Sequence, residues 1–502
     1  MTNLTILIIV PLLTALAVLF CRSSAQVKWT SFIGSLVQLT LASSLMFAYI
    51  TERASGNTAQ MLFQQRYSWY SALNIEYYIG VDGISIAMIM LTAFVVVAGI
   101  LISWSVQTST KEFFILLLLL SVGAYGFFIS LDLFTMFFFL EVAVIPKYLL
   151  IGIWGSGKKE YSAMKLALML MGGSVFVLIG LLATYFSTDI GNGVHTWDLL
   201  KIAQLHIPLQ AQLYIFPFLF VGFGVFTALF PFHTWVPDGH SSAPTAASMF
   251  LAGISMKLGG YGALRVATYL MPEAAQQYSW LIVLLATIAI IYGAFATLMQ
   301  KDLKYMNAYS SVSHCGFILL GIGMLTKTAI IGAVMQMVSH GVMTALFFGA
   351  IGMIYERTHT RQISELGGLL KVLPFIGTVY VITGLCSLGL PGLSGFVAEM
   401  TVFVGAWQRP DTFHRVATIL AAASIVVTAV YILRAAGKSV MGPIVNEHFL
   451  HLKDASWNEK IASILLIAAI LAIGIAPFWL YNLIAPDAQH IMENIARGVS
   501  GG

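Results

Sequence analysis

Phe230-Pro231-Phe232-His233-Thr234-Trp235-Val236-Pro237 breaks one apolar stretch of this chain. Leu390-Pro391-Gly392-Leu393-Ser394-Gly395-Phe396, 160 residues later, breaks another. Each proline removes a helix hydrogen bond, so each stretch reads as a helix in two pieces. In lipid such a break is tolerated only where the freed backbone groups meet polar partners. Interrupted helices at corresponding places in two halves of a chain point to an ion site.

The rest of the chain fits that setting. Its 502 residues are 59% hydrophobic and 9% charged, against about 25% charged for an ordinary soluble domain. About fourteen apolar runs approach the roughly 20 residues that cross a bilayer. They are expected near 3–20, 29–50, 83–104, 112–130, 133–153, 162–186, 211–230, 244–269, 279–299, 304–325, 328–354, 373–407 (broken near 391), 413–434 and 461–484. The whole chain reads as one all-α polytopic membrane domain, with the bilayer as its partner. The polar, aromatic stretch 51–80 reads as an ordered external loop, and 438–460 as a second polar segment. The first apolar run lacks a basic leader and a small-residue cleavage site, so it reads as a retained helix. The net charge of +4 and the absence of a basic run exclude a nucleic-acid partner. Cys21, Cys315 and Cys386 have no metal-ligand spacing, so no metal or cofactor is expected on this chain.

Two further properties follow from the spans. Lysines and arginines outside them divide 14 against 8 across the two sides, with Lys147, Lys165 and Lys257 inside, which accounts for all 25. The richer side should be cytoplasmic. An even span number then puts both termini on the outer face. Spans four to eight and nine to thirteen each contain five helices. Five is odd, so the second unit starts on the opposite side, and the two form an inverted repeat over about 112–270 and 279–435.

The interior charges are the candidate machinery, because a charge at the bilayer centre costs roughly 3 kcal/mol. Glu141 lies in Phe137-Phe138-Phe139-Leu140-Glu141-Val142, with no neutralising neighbour in sequence. A desolvated carboxyl can hold a proton near neutral pH. Lys257 is thirteen residues past Pro244, about 20 Å along a helix, and a buried lysine can release its proton. Glu399 follows the second break by a few residues, where it can join a polar cavity to one side. His314 and His340 share this interior and titrate closest to physiological pH, which makes them relay candidates. His233 reads as a stabiliser of the first break. Lys165, only a few residues into its span, is as compatible with a snorkelling head group as with a relay. Lys147 lies six residues after Glu141, about 9 Å further along and rotated by about 600°, so on a regular helix the two do not share a face.

The residues from Phe230 to Ser248, FPFHTWVPDGHSSAPTAAS, resemble the diagnostic motif of the antiporter-like membrane subunits of respiratory complex I. GVDGIS (80–85), the Glu141 segment, LAGISMKLGGYG (251–262), KDLKYMNAYSSVSHCGF (301–317) and LPGLSGFVAEM (390–400) are similar to the same family in the same order. Within it the chain looks most like the M-type subunits. N-type chains and many Mrp antiporter D chains carry lysine where this sequence has Glu399, and L-type chains carry a long lateral helix after the last span. The resemblance implies fourteen helices, the seventh and twelfth broken. It implies proton translocation driven by electron transfer elsewhere, in an NADH:quinone oxidoreductase. NADH, FMN, iron–sulfur clusters and quinone then belong to partner subunits, and L-type and N-type chains are the membrane neighbours. Glu141, Lys257 and Glu399 occupy three positions of the implied relay. The fourth, a lysine five residues before the proline of the first break, is Phe226 here. Lys147 stands where the family is usually apolar. It either replaces the missing ammonium or reaches toward the cytoplasmic interface. An Mrp-type cation/proton antiporter subunit, or a membrane subunit of a ferredoxin- or hydrogenase-linked pump, remains an alternative at this level.

Overall fold

Long apolar sequences with acid-capped starts build this fold. The computed structural model describes residues 3–191 and 193–500. In chain order, α1 (Ile6–Phe20) and α2 (Ser24–Ala54) lead to a hairpin of β1 (Leu62–Tyr70) and β2 (Ile75–Val81), followed by α3 (Gly83–Ile102). The first five-helix unit contains α4 (Thr110–Ile129), α5 (Leu133–Val142) continued by α6 (Val144–Trp154), and α7 (Lys159–Ser187). A short α8 (Leu199–Ile202) precedes the broken pair α9 (Leu209–Thr227) and α10 (Trp235–Ser242). The unit closes with a helix made of α11 (Thr245–Phe250), a π-turn over Leu251–Ser255, α12 (Met256–Gly262) and a second π-turn over Ala263–Thr268. After α13 (Pro272–Gln277), the second unit contains α14 (Ser279–Leu298), α15 (Leu303–Gly323) and α16 (Lys327–Thr358). The turn α17 (Leu369–Val372), the broken pair α18 (Pro374–Ser387) and α19 (Ser394–Trp407), and α20 (Thr412–Ala435) complete it. The chain ends with α21 (Trp457–Ile475) and α22 (Phe478–Ser500).

Among the described residues, ten helices are long and apolar enough to cross a membrane. The shorter apolar helices Ile6–Phe20, Pro374–Ser387 and Ser394–Trp407 lie at the first expected span and at the second break. The chain is a multi-pass helical membrane protein.

Aspartates start many of these helices. Asp82, Asp132, Asp198, Asp302 and Asp411 each accept backbone N–H groups of the first turn that follows. A side-chain acceptor satisfies donors that have no partner inside the helix. The two units repeat this detail. Asp132 forms an isolated bridge to Asp198, and Asp302 forms one to Gln362. In both cases the start of a helix is tied to the loop before the broken pair. The breaks also correspond: Ala228 and Gly389 follow α9 and α18 with φ of 68° and 78°. The left-handed conformation ends each helix one residue type apart, and the alanine tolerates it at a cost of about 1–2 kcal/mol.

The loop expected over 51–80 is ordered, and its second half is the β hairpin. Alternation in Glu76-Tyr77-Tyr78-Ile79-Gly80-Val81 is too short and aromatic to mark a strand by pattern alone. The last expected span, 461–484, is corrected by the structure. Its helix ends at Ile475, Ala476 leaves the helical region, and α22 begins after Pro477. The proline cannot continue the hydrogen-bond ladder. Buried Leu480, Leu483, Ile484, Ala488, Ile491 and Ile495 form one face of α22, the three-to-four spacing of a helix lying on a surface.

That helix explains the GVDGIS stretch. The Asp487 carboxylate of α22 accepts the N–H groups of Gly83 at 2.7 Å and Ile84 at 3.3 Å. Asp82 accepts from Ser85 at 2.8 Å and pairs with buried Arg265. A β-carbon at position 83 would lie 1.8 Å from the Leu483 carbonyl oxygen. Only glycine permits α22 to dock at that distance.

Candidate functional site

The six candidate residues fall into two groups. The first joins α5, α6, α7 and α9. Glu141 is half-buried, and the Ser174 hydroxyl of α7 donates to its Oε1. The helix is interrupted at Ala143, where the Ala143 N–H reaches the Phe139 carbonyl at a stretched 3.4 Å. Pro146 lacks the donor that would restore the ladder. Lys147 is 1% exposed, and its Nζ lies 5.9 Å from the centre of the Phe226 ring. The ammonium therefore does not reach the interface. It sits over the Phe226 ring, within the field of the Glu141 carboxyl. Among the described residues no hydrogen-bond partner reaches its Nζ, so the aromatic face is the contact that stabilises it.

The second group is a continuous row across α12, α15, α16 and α19. Lys257 Nζ is 2.7 Å from His340 Nδ1. It also donates to the Ala252 carbonyl, which lies in the first π-turn. A π-turn shifts the hydrogen-bond register and leaves carbonyls available to other donors. The His340 and His314 rings stack with centres 5.3 Å apart. His314 Nδ1 lies 3.2 Å from Glu399 Oε1, and its Nε2 lies 3.0 Å from Ser387 Oγ. Lys257, His340, His314 and Glu399 are between 0% and 4% exposed. The break after α18 fits this row. A β-carbon on Gly389 would come 3.0 Å from Glu399 Oε2.

Among the described residues, no hydrogen bond or ion pair joins the Lys147 group to the Lys257 group. The α9 and α12 backbones that separate them are in close contact. A β-carbon on Gly259 would meet the Phe223 carbonyl oxygen at 2.4 Å.

The other charged residues of the spans are placed by their partners. Lys165 makes a half-buried ion pair with Asp238 at 2.7 Å. It neither snorkels freely nor joins the row. His233 stacks on Phe230 with ring centres 5.4 Å apart and meets Tyr292 edge-on at 4.8 Å. Both contacts brace the first break. Lys304 is buried, and its Nζ donates to the Ala243 carbonyl at 2.5 Å, at the C-terminal end of α10 where a cation is favoured.

Sequence reasoning missed Ser174, Ser387 and His240. The serines are ordinary helix residues without their tertiary partners. His240 is fully buried and its ring nitrogens have no partner, while its motif gives no hint of that isolation. No group of three or more His, Cys, Asp or Glu side chains that could hold a metal occurs among the described residues.

This arrangement of broken helices and buried acid–base groups defines an antiporter-like membrane protein. The fold matches a chain of "Respiratory complex I from Thermus thermophilus with bound NADH" with a TM-score of 0.88, at 24% identity over 98% of this chain and all of that one. It also matches a chain of the Mrp complex from Dietzia sp. DQ12-45-1b, with a TM-score of 0.85 at 18% identity over 98% of this chain and 99% of that one. These two likenesses establish the fold.

Sequence establishes the family. Residues 130–424 match the model described as NADH:quinone oxidoreductase/Mrp antiporter, transmembrane. The chain is 35% identical to NADH-quinone oxidoreductase subunit M of Rickettsia prowazekii, over 97% of this chain and 98% of that protein. It is 35% identical to NAD(P)H-quinone oxidoreductase chain 4 of Gloeobacter violaceus, over 98% and 94%. The chain belongs to the NADH:quinone oxidoreductase/Mrp antiporter family.

Proposed function

We propose that this chain is the proton-translocating M-type subunit in the membrane arm of an NADH:quinone oxidoreductase. Its five-helix units span about 112–270 and 279–435, and both termini face outward. Electron transfer, with its NADH, FMN, iron–sulfur clusters and quinone, takes place in partner subunits. L-type and N-type chains flank it in the membrane. The Mrp-type reading is weaker, because the relatives matched along nearly the whole chain are quinone oxidoreductase subunits.

The observation that carries the reading is the row Lys257–His340–His314–Glu399. Adjacent members can exchange protons over hydrogen-bond distances at both ends, 2.7 Å and 3.2 Å. The Lys257 ammonium donates to His340 Nδ1 and returns to the neutral amine. His340 passes a proton from its other nitrogen to His314, by a ring rotation or one bridging water. His314 Nδ1 then donates to Glu399. Each step requires that a group change charge in a low-dielectric site, so the charge of a neighbour sets the direction of transfer.

Glu141 and Lys147 form a second group, separate from the row. A charge on Glu141 holds the proton on Lys147, and its loss or neutralisation releases it. The half-buried position of Glu141 on the chain's surface suits contact with a neighbouring subunit, through which the state of one chain biases the next.

The test is purification of the complex from its native membrane, followed by NADH-driven proton pumping in proteoliposomes. Flavin and iron–sulfur subunits should co-purify, and Glu399→Gln should assemble yet pump less. Recovery of cation-exchange subunits without redox partners would overturn the assignment in favour of an antiporter.

A further inference from the structure

The early end of α21 shapes the surface beside α22. α21 stops at Ile475, and Ala476-Pro477 turns the chain into α22. A cavity of about 880 Å³ lies there, between the end of α2, the start of α16 and the first half of α22. Arg53, Lys327 and His490 line it, and no acidic residue does. Arg53 donates to the Tyr49 hydroxyl and the Asn57 carbonyl, both at 3.0 Å, and faces Asp487 at 4.0 Å. His490 faces Glu493 at 3.7 Å. Lys327 is exposed, and among the described residues no acid pairs with it. It opens α16, whose positive end adds to its charge.

A slot adjoins this cationic mouth. Trp479 and Leu483 wall both the mouth and a second cavity of about 150 Å³, which only apolar residues line. Met46 of α2, Met90 and Phe94 of α3, and Val338 and Val342 of α16 lie along it. Trp479 Nε1–H donates to the Ala472 carbonyl at 3.2 Å, so its polar group is satisfied and its ring serves as wall. Phe94 is eleven residues on from Gly83, about 16 Å along α3. Half of the hydrocarbon core is about 15 Å. The slot therefore reaches about one leaflet deep. Water is not its natural occupant, because an apolar cavity offers no hydrogen-bond partners. A soluble anion would use the mouth and leave the slot unfilled. A molecule with a phosphate at one end and a hydrocarbon chain at the other fits both.

The geometry points to a site for one anionic glycerophospholipid, its phosphate between Lys327 and Arg53 and one acyl chain in the slot between α2, α3 and α16. In the orientation proposed above it belongs to the outer leaflet. The chain lies behind the part of α16 that carries His340. Val338 and Val342 flank that histidine in sequence, and Leu91 of the slot wall packs on the next residue, Gly341. A β-carbon on Gly341 would come 2.7 Å from Leu91 Cδ1. The acyl chain thus supports the wall that holds this segment in place. The site stands on its own walls and charges, whichever ion the row of buried groups carries.

The test uses the complex purified from its native membrane, exchanged into phosphatidylcholine vesicles that contain a photoactivatable phosphatidylglycerol. The probe carries a diazirine midway along one acyl chain, and labelled residues are located by peptide mass spectrometry. Irradiation should label Met90, Phe94 or Val338 at least about five-fold more than the same diazirine chain on phosphatidylcholine. Exposed Phe47 and Leu168 serve as references for ordinary bilayer contact and should show no such preference. Lys327→Glu reverses an exposed charge without touching the core and should cut slot labelling about five-fold. Ala469→Phe fills the slot and should abolish labelling there while the references still react. Equal labelling by the two head groups, or slot labelling unchanged by Lys327→Glu, would mean bulk bilayer lipid only and would overturn the site. Reactive references with an unlabelled slot in the parent complex would mean that another subunit closes the mouth, and would overturn it too.

Discussion

Lys147 lies over Phe226, with its ammonium 5.9 Å from the ring centre. A lysine on α6 thus lies in front of the α9 position Phe226, where the resemblance implies a lysine. We propose that Lys147 stands in for the lysine that the family resemblance implies at Phe226. The Ala143 interruption and Pro146 re-aim the side chain that a regular helix would send elsewhere.

Lys147→Met should therefore abolish most proton pumping in an assembled complex. Adding Phe226→Lys should restore part of it, because the new ammonium would enter the same space from the other wall. Pumping assays on the single and double variants decide this. A fully active Lys147→Met would reject the exchange.

Glu141→Gln should leave assembly largely intact and cut pumping severely. The amide retains the Ser174 contact but cannot exchange a proton. It also removes a negative charge whose field reaches the buried Lys147 ammonium. Glu399→Gln should impair pumping more mildly, since a hydrated route beside it offers alternatives. Equal losses in the two variants would contradict this ranking.

Gly83→Ala should dislodge α22, since its β-carbon would meet the Leu483 carbonyl oxygen at 1.8 Å. A cysteine placed at buried Asn494 should then react with a water-soluble thiol reagent faster than it does in the parent chain. Unchanged labelling would show that α22 shifts without leaving. Gly389→Ala adds a left-handed alanine costing about 1–2 kcal/mol and crowds Glu399. Its pumping should approach that of Glu399→Gln.

Asp132 caps α5 from outside the span, and burial pushes its carboxyl up from 3.8 to about 6, against the opposing N–H groups of Thr135 and Glu76. An acid whose folded value is raised binds more protons folded than unfolded. Its contribution is then most favourable below pH 4 and is lost as pH rises through about 6, by up to about 3 kcal/mol. Asp132→Asn keeps a capping oxygen and cannot titrate. Its thermal stability relative to the parent should rise between pH 4 and pH 7, as followed by tryptophan fluorescence. A constant difference across that range would count against the burial of a titrating carboxyl there.

A single cysteine in the Lys158–Lys159 loop should react from the cytoplasmic side, and one near Arg66 from the periplasmic side. The reverse pattern would invert the orientation proposed from the basic residues.

Much of this was readable before folding. Hydropathy marks the spans because lipid leaves the backbone no alternative to internal hydrogen bonds. Pro231 and Pro391 mark the breaks because proline lacks a donor. Glu141, Lys257 and Glu399 stand out because charge is costly in an apolar run. What folding decided is which of these groups touch. His340 and His314 lie 26 residues apart on different helices, and their stacking depends on how α15 and α16 cross. Ser174 and Ser387 gain meaning only from partners 33 and 73 residues away: Glu141 and His314. Lys147 was ambiguous in one dimension because helix periodicity assumes a regular ladder. The interruption at Ala143 breaks that assumption, and the direction of the ammonium follows from it.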